Sequence, residues 1–371
     1  MKKLIIVFLV LFLNAETLNF VLPFKDTNKT ETNLSNPPSG NIENNTSSAD
    51  QNNTIYIKPA IPDNNSTSYT SYEEDFNDSY VSINNSVNLA IVIDKKRFFK
   101  YIPSLINSLD AYFISKGVNF DISVYNIDYN LSKIASKDII YFATDTKQIN
   151  KLKDYNKTFY LPLINKNETN ITFNNVYFGS IDFKNQIKTL TSFIDDKTDV
   201  IVDNTILSKK LFNYEKNLTY LNNVYNFPNI YYKDLNNSFV IYNISAGKTA
   251  QVLSSITQKE IQTKLMFIPQ LGYDPLIIML TQPADVEKLL IANSIIHPPV
   301  IINEYTNLLN SNIRYNWINY ASCILANKAY NRQNDEDEFY MSDFNIYIFD
   351  NQINYETKLY RIIDGAFKQV E

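Results

Sequence analysis

The chain alternates between short apolar runs and helical apolar periodicity from Asn88 to about residue 270. The run NLAIVID (88–94) is typical of a strand buried on both faces, and apolar residues then recur at helical spacing up to Gly117. Further strands are predicted at 120–125, 139–144, 158–164, 176–181, 199–203, 239–243 and 264–269. Strand–helix alternation at this density predicts an α/β fold with mostly parallel sheets and helices on both faces.

The pattern changes in the C-terminal third. The segment YNWINYASCILANKAYN (315–331) predicts a helix with one apolar stripe. The stripe consists of Trp317, Tyr320, Ala321 and Ile324, and it ends because the next position on that face is Lys328. An acidic loop follows at 334–338. The segments FNIYIFD and YETKLYRII then predict a closing pair of strands resembling a hairpin.

The N-terminus predicts export. A basic start, Met1-Lys2-Lys3, precedes an apolar run of ten residues, Leu4 to Leu13. Ten residues of helix rise about 15 Å, half the thickness of a bilayer core, so residues 1–15 are interpreted as a signal peptide and an uncleaved anchor is the less favoured alternative. Residues 16–87, rich in Asn, Ser and Thr, are predicted to form a disordered tether because they offer little apolar surface to bury.

Composition excludes several classes of function. The chain has 371 residues, a net charge of −5 and only 6 glycines, which disfavours nucleic-acid binding and glycine-rich phosphate loops. Its one cysteine, Cys323, permits no internal disulfide and lies far from the position that lipid attachment would require. An exported protein without lipid is therefore expected, located in the periplasm.

No catalytic or metal site is predicted. The segment SAGKTA (245–250) lacks the earlier glycine of a phosphate loop, since Tyr242 occupies that position, and is interpreted as a helix start. His297 is the only histidine and has no zinc-ligand partners nearby, while Cys323 is expected to be a packed, inert thiol. The acidic run 335–338 lacks the ligand spacing of a calcium loop. We therefore expect a protein that is not an enzyme and binds no cofactor.

One polar pattern recurs far above chance. An acid two residues before an Asn, with Ser or Thr two residues after it, would arise about 0.7 times from this composition. It occurs eleven times, six in the tether and five in the ordered part, and never after residue 236 although 15 Asn lie there. The central residues are Asn28, Asn33, Asn45, Asn52, Asn65, Asn77, Asn130, Asn156, Asn170, Asn217 and Asn236.

This pattern resembles the extended acceptor site, Asp/Glu-x-Asn-x-Ser/Thr, of the N-glycosylation pathway of some Gram-negative bacteria. The resemblance implies that an oligosaccharyltransferase modifies this protein after export. The acceptor must present an extended, accessible backbone, so the tether sites are expected to be occupied before those in the folded part. Composition alone is the alternative explanation.

The order of elements from Asn88 resembles the two-lobed type I periplasmic-binding fold. On this resemblance the first lobe comprises about 88–182 and 296–371, and the second about 183–295. The segments AGKTAQVLSSIT, GYDPLIIMLTQPADVEKLLIANSI and YNWINYASCILANKAYN are similar to the C-terminal domain of penicillin-binding-protein activators.

Two functions follow from this resemblance. The first is an envelope scaffold or regulator that binds another periplasmic protein, for example a peptidoglycan synthase. The second is a solute-binding protein that clamps a small ligand for a transporter or sensor. The charged turn Asp94-Lys95-Lys96-Arg97 after the first strand would obstruct an apolar ligand but suits an anionic one. The long tether and the scarce glycine favour the first function.

Overall fold

The computed structural model describes residues 86–170, 173–296, 298–334 and 339–370. The predicted signal peptide, most of the tether, His297 and the acidic run 335–338 lie outside the described residues. Within them the chain forms two sheets flanked by helices, which confirms the predicted two-lobed α/β fold with mostly parallel sheets.

The first lobe is built on an eight-stranded sheet. Five parallel strands lie in the order β2-β1-β3-β4-β5, and three short strands, antiparallel to one another, extend the β5 edge. The bounds are β1 Ser86–Ile93, β2 Asn119–Asn126, β3 Asp138–Tyr141, β4 Thr158–Leu161, β5 Val176–Phe178, β11 Tyr340–Met341, β12 Ile346–Phe349 and β13 Gln352–Ile353. The first, third and fourth of these strands are almost wholly buried, as their continuous apolar runs predicted.

The second lobe repeats this plan in a seven-stranded sheet. Its order is β15-β14-β10-β9-β8-β6-β7, in which β14 and β15 are the antiparallel edge strands. The bounds are β6 Thr198–Val202, β7 Leu221–Asn226, β8 Phe239–Asn243, β9 Met266–Ile268, β10 Leu289–Asn293, β14 Lys358–Ile363 and β15 Ala366–Gln369. The chain passes between the two sheets after β5, after β10 and after β13.

Helices cover both sheets. Their bounds are α1 Ile102–Ser115, α2 Thr146–Asn150, α3 Phe183–Thr191, α4 Ile206–Glu215, α5 Ala246–Gln258, α6 Pro275–Leu280, α7 Pro283–Val286, α8 Val300–Leu308 and α9 Trp317–Gln333. Gly117, just beyond α1, has φ +65°, the left-handed conformation that ends a helix and that glycine adopts without strain. The segment at 245–250 starts α5, as predicted. No helix in the described part of the chain is both long and apolar enough to cross a bilayer.

The C-terminal segment divides between the lobes. The sequence assigned all of 296–371 to the first lobe, but β14 pairs antiparallel with β10 and so belongs to the second sheet. The predicted pair of strands is likewise split: β12 pairs with β13, and β14 pairs with β15. Alternating burial indicates that a segment is a strand, but it does not say which sheet edge that strand joins.

Helix α9 is buried on nearly every side, which corrects the prediction of a single apolar stripe. All residues from Asn319 to Ala329 are buried, including Lys328 at 2% exposure. The helix packs on α1 and on the first sheet. There the Asn319 amide donates to Ser104 Oγ at 2.8 Å and the Asn327 amide donates to Asp343 Oδ2 at 2.7 Å, whereas Ser322 Oγ has no hydrogen-bond partner among the described residues. The Lys328 ammonium lies 5.5 Å from the ring centroid of Tyr177 and 5.7 Å from that of Phe339, contacts that compensate for its burial.

Candidate functional site

The candidate site is a cleft where strands of both sheets end. Thr144 follows β3, Asp182 follows β5 and Ile206 begins α4, just after β6. These loops enclose a cleft of about 610 Å³, which continues into a slot of about 270 Å³. Open α/β folds bind ligands beyond the carboxyl ends of their parallel strands, which makes this cleft the candidate site.

The slot has mainly apolar walls. They include Phe98, Tyr101, Leu163, Phe183, Leu207 and Trp317, and Arg97 and Lys210 supply cationic groups. The rings of Phe183 and Trp317 meet edge to face with centroids 5.8 Å apart, which joins the start of α3 to the start of α9. The slot therefore suits an apolar group whose neighbouring atoms carry negative charge.

An ion pair crosses the cleft. The Lys210 ammonium on α4 of the second lobe lies 2.6 Å from the carboxylate of Glu168 in the first lobe, and the two side chains are 23% and 17% exposed. Burial, together with the negative charge of the same carboxylate, raises the pKa of the Tyr214 hydroxyl. Burial raises the pKa of Glu168 above its ordinary value, and the Lys210 ammonium opposes that rise. Glu168 and Lys210 thus connect the lobes inside the cleft.

A second contact between the lobes is aromatic. Tyr315, in the stretch between α8 and α9, belongs to the first lobe. Its ring lies 5.5 Å from Tyr273 and 6.0 Å from Phe367, centroid to centroid, and both of these residues belong to the second lobe. The second-lobe rings themselves pack 4.5 Å apart. Separating the lobes would expose this cluster to water.

A buried network of hydrogen bonds connects the segments in which the chain crosses from one lobe to the other. The Gln186 amide donates to Ser294 Oγ at 2.7 Å, and the Gln270 amide donates to Asn293 Oδ1 at 2.8 Å. The Ser294 backbone N–H donates to Gln270 Oε1 at 2.7 Å, and the Ser294 and Thr357 hydroxyls are 3.2 Å apart. Ser294 lies on the second crossing and Thr357 on the third, so hydrogen bonds connect these two crossings to each other.

Asp203, just after β6, has a structural role. Its carboxylate accepts hydrogen bonds from the Thr205 hydroxyl at 2.6 Å and from the Lys248 ammonium at 2.9 Å. Burial would raise the pKa of Asp203, but these hydrogen bonds and the positive charge outweigh it and hold the pKa below its ordinary value. Thr205 in turn caps α4 by accepting from the Ser208 N–H at 3.2 Å. These groups fix the second-lobe wall of the cleft.

Among the predicted modification sites, the five in the folded part all have an exposed Asn: Asn130, Asn156, Asn170, Asn217 and Asn236. Around Asn130, both the acid, Asp128, and the hydroxyl residue, Ser132, are also exposed. The Asn130 side chain accepts a hydrogen bond from the Ser132 N–H at 3.0 Å, so the segment is turned rather than extended. The hydroxyl residue of the third site, Thr172, and the other six sites, Asn28, Asn33, Asn45, Asn52, Asn65 and Asn77, lie outside the described residues.

At each of the remaining three sites, either the acid or the hydroxyl residue of the acceptor pattern is buried in the fold. Thr158, two residues after Asn156, is buried in β4, and Ser238, two residues after Asn236, is fully buried. Glu215, two residues before Asn217, is also fully buried. An enzyme that reads the acid and the hydroxyl can reach both groups at these three sites only on an unfolded or locally opened chain.

Glu215 is the ionisable group that sequence reasoning missed. It ends α4, where an acid is ordinarily exposed, but its carboxyl accepts a hydrogen bond of 2.6 Å from the Asn243 amide inside the second lobe. Burial raises the pKa of Glu215 to about 8, although the Asn243 hydrogen bond opposes that rise. Its other oxygen and the Asn243 carbonyl oxygen have no partner. The acid form of the carboxyl would carry a hydrogen to donate and no charge, so burial favours that form.

The other groups with potential reactivity do not form a site. Cys323 is fully buried, and burial raises the pKa of its thiol, which therefore stays uncharged. Across the residues that the structure describes, no group of three or more His, Cys, Asp or Glu side chains is placed to hold a metal ion.

Comparison with known structures identifies the architecture. No protein-family model matches the sequence, and no curated protein resembles it in sequence. The fold, however, superposes on a Thermus thermophilus branched-chain amino acid ABC transporter structure with bound valine, with a TM-score of 0.56 and 12% identity over 77% of this chain and 95% of that one. The fold is that of the type I periplasmic binding proteins.

Two further solved structures resemble the fold to different degrees. An extracellular ligand binding receptor from Desulfohalobium retbaense has a TM-score of 0.58 and 9% identity, over 77% of this chain and 59% of that one. Haemophilus influenzae LpoA has a TM-score of 0.49 and 9% identity, over 77% of this chain and 58% of that one. At these identities the type I likeness concerns the fold alone.

Proposed function

We propose that this protein is a non-enzymatic scaffold or regulator of the bacterial envelope that acts by binding another protein in the periplasm. In this function the two lobes form one rigid unit, and the partner binds to its surface. A penicillin-binding-protein activator is the nearest functional parallel from the sequence, and a peptidoglycan synthase is the corresponding partner. The fold itself is compatible with a binding protein of either kind.

The observation that carries this proposal is the Glu168–Lys210 ion pair, which spans the cleft at 2.6 Å. A protein that clamps a solute must open its lobes to admit it. Here opening would separate two largely buried charges and also withdraw Tyr315 from Tyr273 and Phe367. Breaking a largely desolvated ion pair costs more than breaking an exposed one, so these contacts favour a closed, fixed arrangement.

A thermal-shift screen of the full chain against amino acids, sugars and small anions tests the proposal. A ligand that binds only the folded protein stabilises it by about 2.7 kcal/mol at one hundred times its Kd, which gives a clear rise in Tm. We expect no saturable rise with any of these compounds. A saturable rise that is abolished by Arg97→Ala, at the slot, would refute the scaffold proposal in favour of solute binding.

Solute binding is the second candidate, and the slot is the observation that favours it. An apolar cavity of about 270 Å³ with Arg97 at one side suits a small molecule that joins a carboxylate to an apolar group. Valine is bound in the Thermus thermophilus structure, and leucine in a similar structure from Desulfitobacterium hafniense. The same screen decides between the two functions.

We further propose that the protein is exported and that an oligosaccharyltransferase glycosylates it in the periplasm. The support is the elevenfold recurrence of the acid-x-Asn-x-hydroxyl pattern, together with the basic and apolar N-terminus. Intact-mass measurement on protein from the native host should show increments of one repeating oligosaccharide. Replacing Asn45 and the other tether acceptors with Gln should remove most of these increments, and a single unmodified mass would contradict the proposal.

A further inference from the structure

A basic and aromatic loop follows β1 at the mouth of the slot. Residues 94–101 (DKKRFFKY) contain four cations, all of them exposed: Lys95, Lys96, Arg97 and Lys100. Among the described residues none of these four lies within ion-pair distance of an acid, although the Lys95 ammonium donates to a backbone carbonyl at 3.0 Å. Phe99 is 62% exposed and Tyr101 is 47% exposed. The loop therefore presents positive charge and apolar rings together.

The loop has a fixed shape that leaves Phe99 on the outside. The Asp94 carboxylate accepts a hydrogen bond from the Lys96 backbone N–H at 3.1 Å, so this acid is used to fold the turn. The Phe98 N–H donates to the Asp94 carbonyl at 2.9 Å, and the Phe98 ring is buried with its centroid 5.9 Å from that of Phe142. Phe98 thus anchors the loop in the lobe, while the next ring remains in solvent.

The helix that follows strengthens the positive potential of the loop. α1 begins at Ile102 with no acidic residue in its first turn and no side chain that caps its N-terminus. The positive end of the helix dipole therefore adds to the charge of the lysines. The whole chain has a net charge of −5, but at physiological salt charges are screened beyond about 8 Å. A surface that meets this loop thus experiences local positive charge rather than the negative average.

The kind of cation indicates the kind of partner. Arg97 and Tyr101 line the slot, so the outer surface of the loop consists of three lysines and Phe99. Protein interfaces are depleted in Lys and enriched in Arg, whereas a flexible lysine stem suits the diffuse negative charge of a lipid surface. The Lys100 ammonium lies 5.7 Å from the ring centroid of Phe99, so this cation and this ring can enter a membrane interface together. The composition therefore favours a lipid surface over an acidic protein.

We propose that the loop at 94–101 binds the surface of an anionic lipid bilayer. The ammonium groups of Lys95, Lys96 and Lys100 contact lipid phosphates, and the Phe99 ring enters the headgroup region. Each cation near such a surface contributes about fivefold to membrane partition, so the three lysines together contribute about a hundredfold. High salt should weaken the binding, because these charges are exposed. This inference goes beyond the proposed function and does not depend on it.

Co-sedimentation of the full chain with lipid vesicles tests the proposal. Wild type should bind vesicles of phosphatidylglycerol and phosphatidylcholine more tightly than vesicles of phosphatidylcholine alone. The variant Lys95→Gln/Lys96→Gln/Lys100→Gln should lose about a hundredfold on the anionic vesicles. The matched control is Lys147→Gln/Lys151→Gln/Lys153→Gln, which removes three exposed lysines of the same lobe and should bind as wild type does. Equal binding to both kinds of vesicle, or equal losses in the two variants, would overturn the proposal.

A fluorescent label on the loop supplies a local measurement. The only native cysteine, Cys323, is fully buried, so a thiol-reactive nitrobenzoxadiazole dye should label Phe99→Cys at the new residue alone. Anionic vesicles should shift its emission to the blue, and high salt should reverse the shift. The same dye on Tyr220→Cys should not respond, because Tyr220 is exposed just before β7, at the end of the second sheet away from the cleft. A loop label that responds to polyglutamate but not to anionic vesicles would refute membrane binding in favour of an acidic protein, whatever the result of the ligand screen.

Discussion

Replacement of the buried Glu215 by Gln should make the protein more stable at alkaline pH. In the structure the Asn243 amide donates to one Glu215 oxygen at 2.6 Å, and the other oxygen and the Asn243 carbonyl remain without partners. Gln has the same shape, and its NH₂ group can donate to that carbonyl while its oxygen accepts from the Asn243 amide. Glu215→Gln therefore satisfies both groups at every pH, whereas Glu satisfies them only when protonated.

The size of this effect on the free energy of unfolding follows from the difference between the Glu215 pKa in the folded protein and that in the unfolded chain. Burial raises the pKa of Glu215 in the folded protein to about 8, from an ordinary value of 4.5. The folded chain thus holds a proton that the unfolded chain has released, so stability falls as pH rises from 4.5 through 8. A shift of this size corresponds to about 5 kcal/mol, a large part of the stability of an ordinary domain.

Denaturant unfolding followed by Trp317 fluorescence measures this effect. Wild type should lose about 3 kcal/mol between pH 6 and pH 8.5 through Glu215, and Glu215→Gln should lose correspondingly less over the same interval. The matched control is Glu304→Gln, on the exposed surface of α8, which should follow wild type. Parallel pH profiles for wild type and Glu215→Gln would show that the carboxyl is ionised in the fold, and the reasoning would be wrong.

Three further predictions concern the interface between the lobes and the modification sites. Tyr315→Ala should lower the free energy of unfolding by about 2–4 kcal/mol in denaturant melts, since it removes a ring from an aromatic cluster. Lys210→Met should leave the Glu168 carboxylate unpaired and increase the radius of gyration measured by small-angle X-ray scattering, and the double variant with Glu168→Gln should recover part of the lost stability. Folded protein treated with the oligosaccharyltransferase should show more glycopeptide at Asn130 than at Asn156, Asn217 and Asn236, and urea-unfolded protein should lose this preference.

The architecture was predictable from the sequence because buried parallel strands consist of continuous apolar runs. The run at 88–94 and the helix up to Gly117 appear in the structure with small shifts at their ends. The sheet that receives β14 was not predictable. Its pairing with β10 depends on the return of the chain through Thr357, and that return is determined by the lobe packing. Burial of Glu215 likewise depends on β8, which is distant in sequence and supplies Asn243.

The residues of the candidate site were even less predictable from the sequence. Glu168 and Lys210 belong to no local motif, and each alone would be assigned to the solvent-exposed surface. Their meeting across the cleft depends on how the two lobes pack against each other. The sequence could indicate the basic turn that begins at Asp94, because four cations lie within six residues of one another. It could not indicate that this turn would face a slot containing the only tryptophan. A function that depends on contacts between lobes is therefore best tested at those contacts: if Lys210→Met opens the cleft and only then permits ligand binding, the ion pair is what separates a scaffold from a solute-binding protein in this fold.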